Sequence, residues 1–119
     1  MTTTALASPR TQAIDAAIAV LDSPLFKALQ EQARVAVLRQ LLLLGRADVG
    51  QIAESLPQER SVISRHLQQL LEAGIVRVER AGRHRIYEVD GPALMGKFEA
   101  ILTEIRKLAP YCCPGIGPG

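Results

Sequence analysis

Residues Ser61–Val76 read SVISRHLQQLLEAGIV, and this stretch decides the fold. At about 100° per residue, Ile63, Leu67, Leu70 and Leu71 share one side of a helix, while Ser61, Val62, Arg65, Gln68, Gln69 and Glu72 share the other. Ser61 is suited to cap the start and Gly74 to end the helix, which places it over about 62–73. Two extended runs follow, 75–80 and 85–89, with Ala81-Gly82-Arg83-His84 between them as a hairpin loop. Just upstream, a short helix over about 49–55 is stopped at Pro57. A short helix, a turn, a longer helix and a two-stranded hairpin predict a mainly α fold with a β-hairpin wing, the winged helix-turn-helix.

Outward from this unit the chain remains helical. Ile14, Ile18, Leu21 and Leu25 form a one-sided stripe from Pro9 onward, broken or restarted at Ser23-Pro24. Val35, Leu38, Leu41 and Leu42 predict a helix over about 31–44, ended by Gly45. Asp90-Gly91-Pro92 opens a last helix to about Leu108, with Asp90 as its cap. Leu94, Phe98, Ile101, Ile105 and Leu108 are spaced along it like a coiled-coil seam. The expected organisation is a tail over 1–8, one domain over 9–108, and a Pro/Gly-rich tail over 109–119 that cannot continue the helix. A core of this size does not need both terminal stripes. Ile14, Ile18, Leu21, Leu94, Phe98, Ile101 and Ile105 are therefore expected at a homodimer interface formed by the first and last helices.

The 119 residues suit one ordinary domain, and 48% apolar residues argue against global disorder. The longest apolar block, Leu41–Leu44, is far below the ~18 residues of a membrane span. The first residues, MTTTALASPRTQ, lack the basic start and apolar run of a signal peptide, so a cytoplasmic protein is expected. No Gly-rich phosphate loop, nucleophile with its base, or carboxylate dyad is evident, so an enzyme is not expected.

The net charge of +2 conceals an asymmetry. Between Arg60 and Arg85, six arginines stand against Glu72 and Glu79, a local +4, while the rest of the chain carries −2. That is the electrostatic footprint of a DNA-binding surface, and arginine suits planar contacts with phosphate. Arginine can also read guanine, and glutamine adenine. The candidates for contact with double-stranded DNA are Ser61, Val62, Ser64, Arg65, His66, Gln68, Gln69, Arg77, Arg83 and Arg85. For the helix the competing reading is an ordinary solvated face; for Gly82-Arg83-His84 it is an ordinary exposed hairpin. His66, at the border of the two helix faces, could equally satisfy a packing position.

The blocks LFKALQEQARVAVLRQLL, DVGQIAESL, SVISRHLQQLLEAGIV and VRVERAGRHRIYEV together resemble the ArsR/SmtB family of winged-helix repressors, over about 25–108. The resemblance implies a homodimer that represses an operon until a metal, metalloid or oxidant releases it from DNA. Two of that family's metal sites have no counterpart here. No histidine follows His84, and Asp48-Val49-Gly50 stands where the family's best-known arsenical site has Cys-x-Cys.

Cys112 and Cys113 remain as the candidate effector site. Adjacent Cα atoms lie about 3.8 Å apart, below the roughly 4.4–6.8 Å of ordinary disulfides, so the pair is poorly built to oxidise onto itself. Two neighbouring thiolates can chelate trivalent arsenic or another soft, thiophilic metal ion. Oxidation or persulfidation between chains, a small organic ligand, and inert thiols are the alternatives. No obligatory cofactor is expected. A use of the winged helix for protein contact also stays open.

Overall fold

The computed structural model describes residues 7–112. Six helices and three strands follow in the order α1 (Pro9–Leu21), α2 (Pro24–Gln30), α3 (Gln32–Leu44), β1 (Arg46–Ala47), α4 (Val49–Ala53), α5 (Arg60–Glu72), β2 (Val76–Ala81), β3 (His84–Val89) and α6 (Gly91–Cys112). The chain divides into two compact units. One runs Pro24–Leu94; the other holds α1 and α6 from Met95 onward.

The core of the Pro24–Leu94 unit gathers one to three apolar side chains from each helix. Leu25 and Ala28 of α2, Val37 and Leu41 of α3, Ile52 of α4, and Ile63, Leu67 and Leu70 of α5 are buried, with Ala47, Ile75, Val76 and Tyr87 around the sheet. Leu25 therefore belongs to a separate helix and not to the stripe of the first. Ser23-Pro24 truly restarts the chain, because proline at the first position of α2 has no N–H to lose. The core-facing positions of α3 also differ from the predicted ones. Val37 and Leu41 are fully buried, while Val35 and Leu42 stand on the open side, Leu42 60% exposed. Arg34 donates from Nη1 to the carbonyls of Lys27 (3.4 Å) and Ala28 (3.2 Å), so α3 satisfies the end of α2.

The reading helix α5 starts two residues earlier than predicted. Its cap is Glu59, whose side chain makes no capping bond, and Ser61 lies inside the first turn. Val62 and Ile63 donate to the Glu59 carbonyl instead. The other end follows the Schellman pattern. Gly74, at φ +76°, donates to Leu71, and Ile75 donates to Leu70, with Leu70 and Ile75 both fully buried beside one another. The hairpin turn is tighter than the four-residue loop expected, since Ala81 and His84 pair. Only Gly82 and Arg83 remain between the strands. Gly82 takes φ +63° and Arg83 does not, the pattern of a type II′ turn, whose twist suits a hairpin.

The sheet has a third strand that the sequence pattern did not reveal. β1 pairs antiparallel with β3, giving the order β1-β3-β2. Asp48 then caps α4 reciprocally. Gln51 N–H donates to Asp48 Oδ1 (2.8 Å), and Asp48 N–H donates to Gln51 Oε1 (2.9 Å). Asp90 caps α6 as expected, accepting from Ala93 N–H at 3.1 Å.

In the second unit, α6 continues past the predicted end at Leu108 and includes Pro110. Proline removes one backbone bond there, but the last turn has outside support. The Arg10 guanidinium donates to the Tyr111 carbonyl (3.3 Å) and lies 5.3 Å from the centre of its ring. None of α6's described residues is buried. Leu94, Ile101, Ile105 and Leu108 are half-buried, whereas Met95 (66%), Phe98 (43%) and Leu102 (46%) are exposed. On α1, Ala17 is buried and Ile14, Ile18 and Leu21 are exposed. No helix among the described residues is long and apolar enough to cross a membrane.

Candidate nucleic-acid interface

α4 and α5 form the helix-turn-helix, and the buried side of α5 fixes what its other side presents. With Ile63, Leu67 and Leu70 turned inward, Ser61, Ser64, Arg65, Gln68, Gln69 and Glu72 are left exposed and Val62 half-exposed. Gln68 is partly engaged, donating from Nε2 to Glu72 Oε2 at 3.1 Å. Gln69 lies toward the other flank, in a shallow groove with Lys27, Arg34 and Glu72. His66 is half-buried, and its Nδ1 is covered with no hydrogen-bond partner. Burial pushes its imidazole below the ordinary value, as do Arg34 and Arg65, against an opposing effect of Glu31. His66, which the sequence leaves between a phosphate contact and a packing position, is thus half-covered, with one ring nitrogen shielded.

The six arginines of the basic segment divide by environment. Arg77 lies across the sheet from Glu88 and donates to it from Nε (3.1 Å) and Nη2 (2.9 Å). That bond, with the Glu88 charge, holds the guanidinium more firmly protonated. Arg46, from outside the segment, pairs with Glu79. The outward face of the sheet is therefore charge-compensated, and Arg77 stands apart from the other candidates.

Two of the remaining arginines meet across the hairpin. Arg80 of β2 pairs directly with Arg85 of β3. Like charges directly opposite destabilise a hairpin. One of them gains relief, since the Arg85 guanidinium lies 5.5 Å from the centre of the buried Tyr87 ring. Arg83 occupies the turn itself. Arg60, Ser64, Arg83, His84 and Arg85 then line one open groove between α4, the start of α5 and the hairpin, whose acidic members are Asp48 and Glu54. Of the candidate contact residues, Ser64, Arg83 and Arg85 share this lining. Arg60 is the addition: it belongs to the basic segment, and as the first residue of α5 it lines the groove.

Cys112 is exposed at the end of α6, one residue beyond Tyr111. Cys113 lies outside the described residues. Among the described residues, no three metal-ligating side chains gather closely enough to hold an ion.

Comparison with known proteins agrees with this geometry. Residues 31–78 match the family model described as bacterial regulatory protein, arsR family. No curated protein sequence matches the chain. Among solved structures, an ArsR-like transcriptional regulator from Rhodococcus sp. RHA1 is 27% identical with a TM-score of 0.57, over 73% of this chain and 85% of that one. A possible transcriptional regulator for arsenical resistance is 28% identical with a TM-score of 0.57, over 76% and 95%. The antimony-specific transcriptional repressor AntR is 27% identical with a TM-score of 0.53, over 72% and 78%. The matched segment runs from the cap of α3 through both helices of the helix-turn-helix into β2. The chain carries a helix-turn-helix domain of the ArsR family and has the fold of that family's transcriptional regulators.

Proposed function

We propose that the protein is a dimeric repressor that binds operator DNA through α5 and the hairpin, and leaves it when a thiophilic effector binds Cys112 and Cys113. The observation that carries the DNA reading is the Arg80–Arg85 pair with Arg83 at the adjoining turn. A hairpin built this way works against its own stability unless an anion lies between or beside the charges. The phosphate backbone supplies such an anion, and the exposed Ser61, Arg65 and Gln68 beside it can reach base edges.

The test is a titration of duplex DNA over a salt series. Arg65→Ala and Arg83→Ala are each expected to weaken binding about tenfold, and Arg83→Ala to lower the salt slope by about one. Unchanged affinity in both variants would sink the assignment.

The effector reading is supported by the exposed position of Cys112 and by similarity to an antimony-specific repressor. Two thiolates from one chain satisfy a centre that needs two sulfurs, and two chains together offer four. Trivalent arsenicals are expected to release the protein from DNA at micromolar levels. Cys112→Ser combined with Cys113→Ser should abolish that release while leaving DNA affinity unchanged. Release that persists in the double variant would assign the effector to another site.

A further inference from the structure

The groove between α4, α5 and the hairpin has a detail that the general reading of a basic surface does not use. Its floor is Gly50. A Cβ added there would come within 3.2 Å of Arg60 Nη2 and 3.3 Å of Arg60 Cζ. It would also come within 3.4 Å of Asp48 Oδ1. The end of the guanidinium and the carboxylate therefore both lie close to one point of the groove. The same carboxylate faces the hairpin, where Asp48 Oδ2 lies 3.5 Å from His84 Nδ1. Asp48 is partly buried, its side chain 27% exposed, and is fixed in place by its bond from Gln51 N–H. A clamped anion thus stands between the first arginine of the reading helix and the hairpin, in a groove that Arg83 and Arg85 also line.

We propose that this groove takes one phosphate group of the DNA backbone, gripped by Arg60 from α5 and by Arg83 and Arg85 from the hairpin, and that Asp48 is the resident anion with which the phosphate competes. The proposal rests on the DNA reading above and adds a residue that sets affinity without touching a base. The Asp48 carboxylate stabilises the converging cations in the free protein and opposes the phosphate in the complex. It keeps affinity below what the arginines alone would give. The chemistry recognised is a tetrahedral phosphate oxyanion, and the source assigned is the backbone of a duplex.

The experiment uses the full chain and a short mixed-sequence duplex in a salt series, read by fluorescence anisotropy. Asp48→Asn removes the charge and keeps the cap, since asparagine caps helices as well as aspartate. It is expected to tighten binding about two- to fivefold, the scale of one surface charge pair. Arg60→Ala is expected to weaken binding about tenfold and to lower the salt slope by about one. In the double variant the gain from Asp48→Asn should vanish, because the two groups act on one site. Thermal denaturation checks that the fold is kept, and Asp48→Ser serves as a second uncharged cap should the asparagine variant be destabilised.

A tightening confined to proteins that retain Arg60 supports the proposal. No tightening in either folded cap variant, or an unchanged salt slope in Arg60→Ala, overturns it while leaving the DNA reading intact. A wild-type chain with no salt-dependent affinity for the duplex overturns the DNA reading itself. In a parallel titration with inorganic phosphate, saturable binding that is lost in Arg60→Ala while duplex binding is unaffected assigns the groove to free phosphate and overturns the backbone source.

Discussion

Leu67→Ala is expected to lower the free energy of unfolding by about 3 kcal/mol, with a fall in Tm of about 10 °C or more. Leu67 is fully buried on α5, between Ile63 one turn earlier and Leu70 in the next turn. α5 packs against α2, α3, α4 and β2, so the side chain is surrounded by several elements rather than by one movable neighbour. Truncation removes the transfer free energy of three carbons. It also leaves a cavity that walls on different elements cannot close together. For a unit of this size the loss is a large part of the whole stability. Urea denaturation followed by circular dichroism checks it. A change below about 1 kcal/mol would show that α5 is not seated by this side chain.

The second large effect concerns assembly. The wild-type chain is expected to have twice its 12.9 kDa mass in solution, and Ile18→Glu or Leu102→Glu to convert it to a monomer. Ile14, Ile18 and Leu21 lie on α1 at spacings of four and three, with 41%, 58% and 47% of their surface exposed. Met95, Phe98 and Leu102 on α6 repeat the pattern at spacings of three and four. These exposed apolar side chains at helical spacing are the faces on which the proposed dimer would close. A glutamate placed within it would carry an unpaired charge into an apolar interface. Monomers would also lose the linked engagement of two DNA half-sites, so affinity for operator DNA should fall about 100-fold or more. Analytical ultracentrifugation decides the matter. A monomeric wild type, or variants that remain dimeric, would remove these faces from the interface.

Much of the helix-turn-helix was legible in the sequence because its signals are local. Ile63, Leu67 and Leu70 recur at the helical period, and burial follows that period whatever the neighbours are. Gly74 marks a left-handed cap, and Gly82 a tight turn, because each requires a positive φ within its own few residues. The short elements were not legible. α2 spans seven residues and β1 two, too few for a periodic pattern. β1 is a strand only because β3 lies beside it. The end of α6 was misread for a related reason. Pro110 is a local stop signal, overruled by the Arg10 guanidinium holding the carbonyl of Tyr111, 101 residues away in sequence.

The candidate site divides in the same way. The sequence by itself determined that a basic segment coincides with a helix and hairpin that expose Ser, Arg and Gln, since composition and period are properties of the chain. Only the tertiary structure decided which of those charges are available. Arg77 is committed to Glu88 across the sheet, His66 has its Nδ1 covered, and Arg60 shares a groove with the hairpin close to Gly50 and Asp48. Coulomb energy depends on separation in space, and a sequence specifies separation only along the chain.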